Sequence, residues 1–258
     1  FNLLWKFSFS DSEYVLISPP VVADLNSDGK NEVIVSAGLE FYITFLLPRG
    51  TQGGGCTFPE IEEPDPAIGK LDKGDFLTKK EKGIVSGGGL LLIPAIADIN
   101  NDGEKEIVIS GAYIDISNYQ ITPALIILDS NGDLLWKYDA PIVSSPVIED
   151  IDGNGNLEIC FIAEGIYCLE GDGTLSWHIL QEFSGTNLAI ADINEDGKKE
   201  ITAFMLKDYG DHVEGYIYTV DSEGNILWHL DELGDVIELS PCIVDIDNND
   251  ELELILMD

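Results

Sequence analysis

The chain has 258 residues, 45% hydrophobic and 24% charged, which is enough for a sizeable core in one or two domains. Its 48 acidic against 13 basic residues leave a formal net charge of −35, which argues against binding to nucleic acid or to anionic membrane surfaces and suits divalent cations or high salt. No run of about eighteen apolar residues occurs, so no transmembrane helix is expected.

The chain opens on Phe1 with neither a charged nor an apolar leader, and reads as a processed or excised segment of something longer. NLLWKF (2–7) reads as a strand, and VADLNSDGKNEVIV, starting at Val22, as two strands around an acidic loop. A strand at 39–47 leads into a Gly/Pro-rich stretch, 48–89, that holds Lys70, Lys73, Lys79, Lys80 and Lys82. It is expected to be a long surface insertion, partly without structure, standing where a strand is missing. The acidic loop returns in ADINNDGEKEIVI (97–109), followed by the hairpin LIILDSNGDLLWKY with a two-residue turn at Asn131-Gly132.

The third copy shows the whole unit. SPVIEDI, the loop, LEICFIA, GIYCLEG and TLSWHIL give four strands over residues 145–180, three of them joined by tight turns at Glu164-Gly165 and Asp172-Gly173. The fourth copy repeats it with TNLAIADI, EITAFML, EGYIYTV and NILWHL, turning at Glu223-Gly224, and IVDIDNNDELELIL opens a fifth at Ile243. The first loop aspartates lie 74, 52, 42 and 53 residues apart, and all four tryptophans (Trp5, Trp136, Trp177, Trp228) precede a loop aspartate by 14 to 19 residues. Two coupled signatures at this period define a repeat protein. An all-β chain follows, a β-propeller of about five four-stranded antiparallel blades or a segment of a larger ring, with residues 1–258 as one domain. The N-terminal strand is expected to complete the last blade. The tryptophans are expected to pack between blades, not to form a ligand platform.

The four cysteines show no C-x-x-C spacing. A two-residue turn at Glu164-Gly165 would set Cys160 opposite Leu169, so free, partly buried thiols are expected over a Cys160–Cys168 bridge.

Counting each loop from its first aspartate, positions 1, 3, 5 and 9 carry oxygen side chains in every copy. They are Asp24, Asn26, Asp28 and Glu32; Asp98, Asn100, Asp102 and Glu106; Asp150, Asp152, Asn154 and Glu158; Asp192, Asn194, Asp196 and Glu200; and Asp245, Asp247, Asn249 and Glu253. Alternate residues of a tight loop converge on one point. The backbone carbonyls of the position-7 residues Lys30, Glu104, Asn156, Lys198 and Glu251 can complete a shell. Oxygen-only ligation of this number suits calcium better than magnesium, which demands a stricter octahedron. Glycine at position 6 (Gly29, Gly103, Gly155, Gly197) permits a left-handed turn, whereas the fifth loop has Asp250 there and is the weakest candidate. Three carboxylates without an ion repel, so loose metal-free loops are expected. An EF-hand would need a glutamate at position 12, where the chain has Val35, Ile109, Phe161, Ala203 and Leu256.

The pattern P-x-x-x-D-x-[ND]-x-[DN]-G-x-x-E followed by a strand resembles the FG-GAP/VCBS repeat family, which includes the propellers of integrin α subunits and many microbial surface proteins. The likeness covers the chain except 48–89. It implies a propeller, usually seven-bladed, with about one Ca2+ per repeat between the first two strands of a blade. The Phe-Gly and Gly-Ala-Pro segments of the integrin version are absent, and position 9 is Glu where Asp is more usual. No integrin ligand face is therefore carried over.

His178, His212 and His229 have no Ser or Cys partner nearby in sequence, and neither G-x-S-x-G nor H-E-x-x-H occurs. The expected function is a non-catalytic extracellular or cell-surface module for adhesion, protein interaction or surface assembly. Its partners would be a protein, a surface glycan or further copies of itself, with no nucleic acid and no membrane insertion. The competing expectation is a propeller enzyme, a polysaccharide lyase or a quinone-linked dehydrogenase. Arg49 as the sole arginine counts against a clamp for acidic sugars.

Overall fold

The structure is a computed structural model that describes residues 16–17, 19, 21–34, 37–39, 42–48, 76–79, 84–85, 92–115, 120–142, 144–180, 182–231, 233, 240–249 and 252–257. The strand at NLLWKF with Trp5, most of 48–89, Asp250 and Glu251 lie outside them. The described residues are all-β, in 21 strands with no helix.

The first repeat holds β1 (Leu16–Ile17), β2 (Val21–Ala23), β3 (Glu32–Ile34), β4 (Ala37–Leu39), β5 (Tyr42–Pro48) and β6 (Phe76–Lys79). Strands β2 and β3 pair across the first acidic loop, while a second sheet runs in the order β1-β4-β5-β6. Two strands lie inside the 48–89 stretch: β6 flanks β5, and β7 (Ile84–Val85) pairs with the next repeat. That second repeat has β8 (Ala95–Ala97), β9 (Glu106–Asp115), β10 (Gln120–Leu128) and β11 (Leu134–Asp139), and the ten residues of β9 accept both β8 and β7 along one edge.

The third and fourth repeats are regular four-stranded antiparallel meanders. The third comprises β12 (Val147–Glu149), β13 (Glu158–Ala163), β14 (Gly165–Glu170) and β15 (Leu175–Ile179). The fourth comprises β16 (Ser184–Ala191), β17 (Glu200–Asp208), β18 (Val213–Val220) and β19 (Ile226–Leu230). The fifth is described as β20 (Ser240–Val244) paired with β21 (Glu253–Met257).

Consecutive sheets pack face to face. Ile151, Cys160, Ile162, Ile166 and Cys168 of the third repeat meet Ile201, Ala203, Met205 and Val220 of the fourth. Val108, Leu125 and Ile127 of the second meet Ile159, Phe161 and Leu169 of the third. A middle strand covered on both faces cannot alternate apolar with polar, which is why all six residues of β13 are buried and the five that follow Glu158 form a continuous apolar run. Each buried side chain of this size contributes about 1.5–3 kcal/mol of hydrophobic stabilisation.

Two turn expectations need correction. The outer hairpins are not two-residue turns. At Asn131-Gly132 the amide of Gly132 donates to Asp129 O and that of Asp129 to Asp133 O, and the same pattern recurs at Glu170–Thr174 and Asp221–Asn225. Each is a three-residue loop with a left-handed glycine (Gly132, Gly173, Gly224) and a bulge just inside it. At Glu164-Gly165, Ala163 pairs with Gly165, so Cys160 stands opposite Cys168 and not Leu169. The two thiols are 3.8 Å apart, buried and free. The register shifts by one residue because Gly165, at φ 109°, enters the strand and leaves Glu164 alone at the tip.

Candidate metal centres

Each acidic loop joins two consecutive, paired strands of its repeat, and the glutamate at position 9 opens the second of them. In all five loops one oxygen of that glutamate, Oε2, accepts the backbone N–H of position 2. The bonds are Leu25 to Glu32 (2.8 Å), Ile99 to Glu106 (3.0 Å), Ile151 to Glu158 (2.9 Å), Ile193 to Glu200 (2.7 Å) and Ile246 to Glu253 (2.8 Å). An aspartate is one carbon–carbon bond shorter, about 1.5 Å, and would not span the loop in this geometry. That reach accounts for glutamate at position 9.

The aspartate at position 1 is held by the loop backbone. Asp98 Oδ1 and Oδ2 accept the amides of Asp102 (3.0 Å) and Gly103 (2.9 Å), and Asp24 and Asp192 do the same with their own loops. Asp150 accepts from Gly153 (2.8 Å) and Gly155 (3.0 Å), and Asp245 from Asn249 (3.1 Å). In the first four loops position 6 takes a left-handed backbone as expected (Gly29, Gly103, Gly155, Gly197), and in all five so does position 4, occupied by Ser27, Asn101, Gly153, Glu195 and Asn248. Sequence reading missed position 4, where Asn and Gly in three of five copies were the available signal.

At position 7 the amides of Lys30, Glu104, Asn156 and Lys198 donate to the side-chain oxygen of position 5, at 2.7–2.9 Å. The Glu104 and Lys198 side chains reach outward, to Ser130 and Glu223 on the outer turn of their own sheets.

The loops divide by what stands at position 3. In the second and fourth, Asn100 and Asn194 donate from Nδ2 to the second oxygen, Oε1, of Glu106 (3.2 Å) and Glu200 (2.9 Å). In the third loop Asp152 has no such donor to offer. Oε1 of Glu158, a residue only 2% exposed, has no hydrogen-bond partner. Oxygens of Asp150, Asp152 and Glu158 lie within 4.8 Å of one another, and so do those of Asp245, Asp247 and Glu253 in the fifth loop, which also has Asp at position 3. The fifth loop, the weakest candidate by sequence, therefore gathers its acids as the third does.

Burial is the main reason that the carboxyl of Glu158 is pushed up to about 7, with Asp152, Glu170 and Asp150 adding to it and the Ile151 amide opposing it. Glu106 and Glu200 are also raised, again mainly by burial. A buried carboxylate oxygen with no donor, faced by two other carboxylates, calls for a proton or a cation. A hard divalent cation with oxygen ligands fits this donor set, which contains neither thiolate nor imidazole.

Neighbouring loops are linked: Lys105 N–H donates to Leu25 O and Lys199 N–H to Ile151 O, both at 2.8 Å, and Ser27 Oγ donates to Gly103 O. The histidines stand elsewhere. His178 contacts Glu164 O and stacks on Tyr167, His212 lies between Asp211 and Glu214, and His229 is 3.4 Å from Asp231. No described helix is long and apolar enough to cross a membrane.

Two of the three described tryptophans sit between repeats, whereas Trp228 is exposed. Trp136 lies on Gly173, and Trp177 lies on Gly224 while its Nε1 donates to Ser222 O at 2.7 Å.

No family model matches the chain, and no curated protein does. Among solved structures, the chain is similar to BBS1N in complex with ARL6DN, in crystals soaked with lead and with mercury. Identity is 13% and 12%, the TM-score is 0.40 in both, and each match covers 99% of this chain and 82% of that one. A protein of unknown function from Bacteroides caccae matches at 11% identity and a TM-score of 0.28, over 86% of this chain and 98% of that one.

Proposed function

We propose that the chain is a calcium-stabilised β-propeller, or a segment of one, acting as a non-catalytic adhesion or assembly module at the cell surface or outside the cell. The observation that carries the metal reading is the unpartnered, buried Oε1 of Glu158 within 4.8 Å of Asp150 and Asp152, in a loop pattern that occurs five times. The propeller reading is supported by four-stranded meanders that stack face to face and by the resemblance of the loops to FG-GAP/VCBS repeats.

The residues that would hold Ca2+ are the side chains at positions 1, 3, 5 and 9, together with the carbonyl of position 7. When bound, the ion supplies charge compensation for three carboxylates. The chain itself positions them: Ile151 N–H and its equivalents orient the glutamate, and the loop amides orient the first aspartate. One cation per repeat at an equivalent place is a staple between two strands. Extracellular calcium, at millimolar levels, would keep such sites filled. Function then belongs to whatever differs between repeats, including 48–89, and adhesive or assembly partners would be proteins, glycans or further copies.

Thermal melting with and without EGTA tests the metal reading. The expected result is a melting temperature that drops by about 10 °C or more in EGTA and recovers with added calcium, since each filled site adds about 2–3 kcal/mol at a hundredfold excess over its Kd. An unchanged melting temperature would overturn it.

A further inference from the structure

The three central repeats share one buried cross-strand position and fill it with different chemistry. Two residues after the position-9 glutamate stand Val108 on β9, Cys160 on β13 and Thr202 on β17. Their partners across the sheet are Ile127, Cys168 and Thr219. Each partner is in turn opposite its repeat's tryptophan, Trp136, Trp177 or Trp228, so the three pairs are equivalent. None of these paired residues is more than 1% exposed. The second repeat places two apolar side chains there. The fourth makes a side-chain bond, with Thr202 Oγ1 and Thr219 Oγ1 2.8 Å apart. The third brings two sulfurs to 3.8 Å.

Directly opposed residues of antiparallel strands lie on one face of the sheet, so both sulfurs point the same way. Their Cα atoms stand about 4.5–5.5 Å apart in such a pair, inside the range of about 4.4–6.8 Å that a disulfide spans. Bonding would draw the sulfurs from 3.8 Å to about 2.05 Å, a closure within reach of side-chain rotation alone. The face is sealed by Ile201, Ala203, Met205 and Val220 of the fourth repeat, so neither sulfur is open to an oxidant once the repeats have stacked.

We propose that Cys160 and Cys168 are an oxidation site, joined as a cross-strand disulfide while the third repeat folds in an oxidising compartment. The oxidant is a disulfide, R–S–S–R, of a small molecule or an oxidoreductase. One cysteine thiolate attacks it, forming a mixed disulfide and releasing one R–SH. The second cysteine displaces the remaining R–S⁻, so the pair gives up two protons and two electrons and two R–SH leave. The bond straps β13 to β14, and the fourth repeat then closes over it. The same position thus carries a hydrogen bond in the fourth repeat and a covalent bond in the third. The inference goes beyond the calcium reading and does not depend on it. It shares with the extracellular reading only the compartment in which such a bond persists.

Refolding the whole chain from urea, in a mixture of reduced and oxidised glutathione or in a phosphine reductant, tests it. After the remaining thiols are alkylated under denaturing conditions, cleavage at glutamate separates the two cysteines, because Glu164 lies between them. Peptides 159–164 and 165–170 should emerge joined and two hydrogens lighter from the glutathione sample, and separate and alkylated from the reduced one. The same map distinguishes bonds made instead to Cys56 or Cys242. The oxidised protein should melt about 5 °C or more above the reduced one. Cys160→Thr with Cys168→Thr, which copies the fourth repeat's pair, should melt alike in both buffers. Separate, alkylated peptides from the glutathione sample, or a bond made to another cysteine, overturn the proposal whether or not that variant folds. A joined pair with melting unchanged by EGTA would sink the calcium reading alone.

Discussion

The third loop and the second loop present the same oxygen atoms in different order, and the order decides what each loop lacks. In the second, D-x-N-x-D, the Asn100 amide satisfies Glu106 Oε1, and the hydrogen-bond network closes without help. In the third, D-x-D-x-N, the amide belongs to Asn154, which donates instead to Asp152 Oδ2 at 2.9 Å, and Glu158 Oε1 is left bare. Both have three carboxylates and one amide. Swapping two neighbouring ligand positions turns a loop that is internally bonded into one that leaves a buried carboxylate oxygen without a hydrogen-bond donor. The comparison teaches that ligand count alone does not rank the five sites.

The largest effect that sharpens this contrast is removal of the acids themselves. In calcium, Asp150→Ala with Asp152→Ala should destabilise by about 3 kcal/mol or more, by losing a filled site and its backbone bonds. Asp98→Ala with Asp102→Ala should cost less in differential scanning calorimetry. Equal losses would show that the two loop types bind metal alike.

Next in size is a control outside the loops. Gly224 has φ +83°, and a Cβ there would lie 2.9 Å from the Trp177 ring. Gly224→Ala should therefore lower stability by about 2 kcal/mol in urea denaturation with or without calcium. A calcium-dependent loss would tie the outer turn to the metal loops.

A third pair of variants reverses sign. Without metal, Glu158→Gln should be neutral or stabilising, because it removes an unpartnered buried charge. Glu106→Gln should cost about 1–3 kcal/mol, because an amide facing Ile99 N–H with its oxygen turns its own NH2 towards Asn100 Nδ2. Two losses of the same sign in chemical denaturation would break the distinction.

The smallest effect is in pH. Glu158 is raised in the fold to about 7 from 4.5, so the folded state binds a proton more tightly than the unfolded one. Its contribution to metal-free stability is complete below about pH 4.5 and is lost as pH rises through about 7. The melting temperature in EGTA should fall between pH 5 and pH 8, and Glu158→Gln should flatten that slope. Calcium, which competes with the proton, should reverse it.

Much of the fold was legible because its signals are local. The left-handed glycine of each turn, the apolar runs of β13 and β17, and the ligand alternation all follow from residues within about ten positions. The bulge inside each outer hairpin and the one-residue shift that pairs Cys160 with Cys168 were not legible, because an x-Gly dipeptide serves both two-residue and three-residue loops. The acidic loops gave away their oxygens but not the pairing of Glu Oε1 with the position-3 amide, which depends on rotamers fixed by burial.

By itself the sequence determined an all-β repeat chain whose five acidic loops can each offer four side-chain oxygens. It could do so because strand periodicity and ligand spacing are properties of the backbone over a few residues. Only the tertiary structure decided that Glu158 Oε1 has no partner, and that Cys160 stands opposite Cys168. Burial and partner choice depend on which sheet lies against which, and no local stretch of residues encodes that.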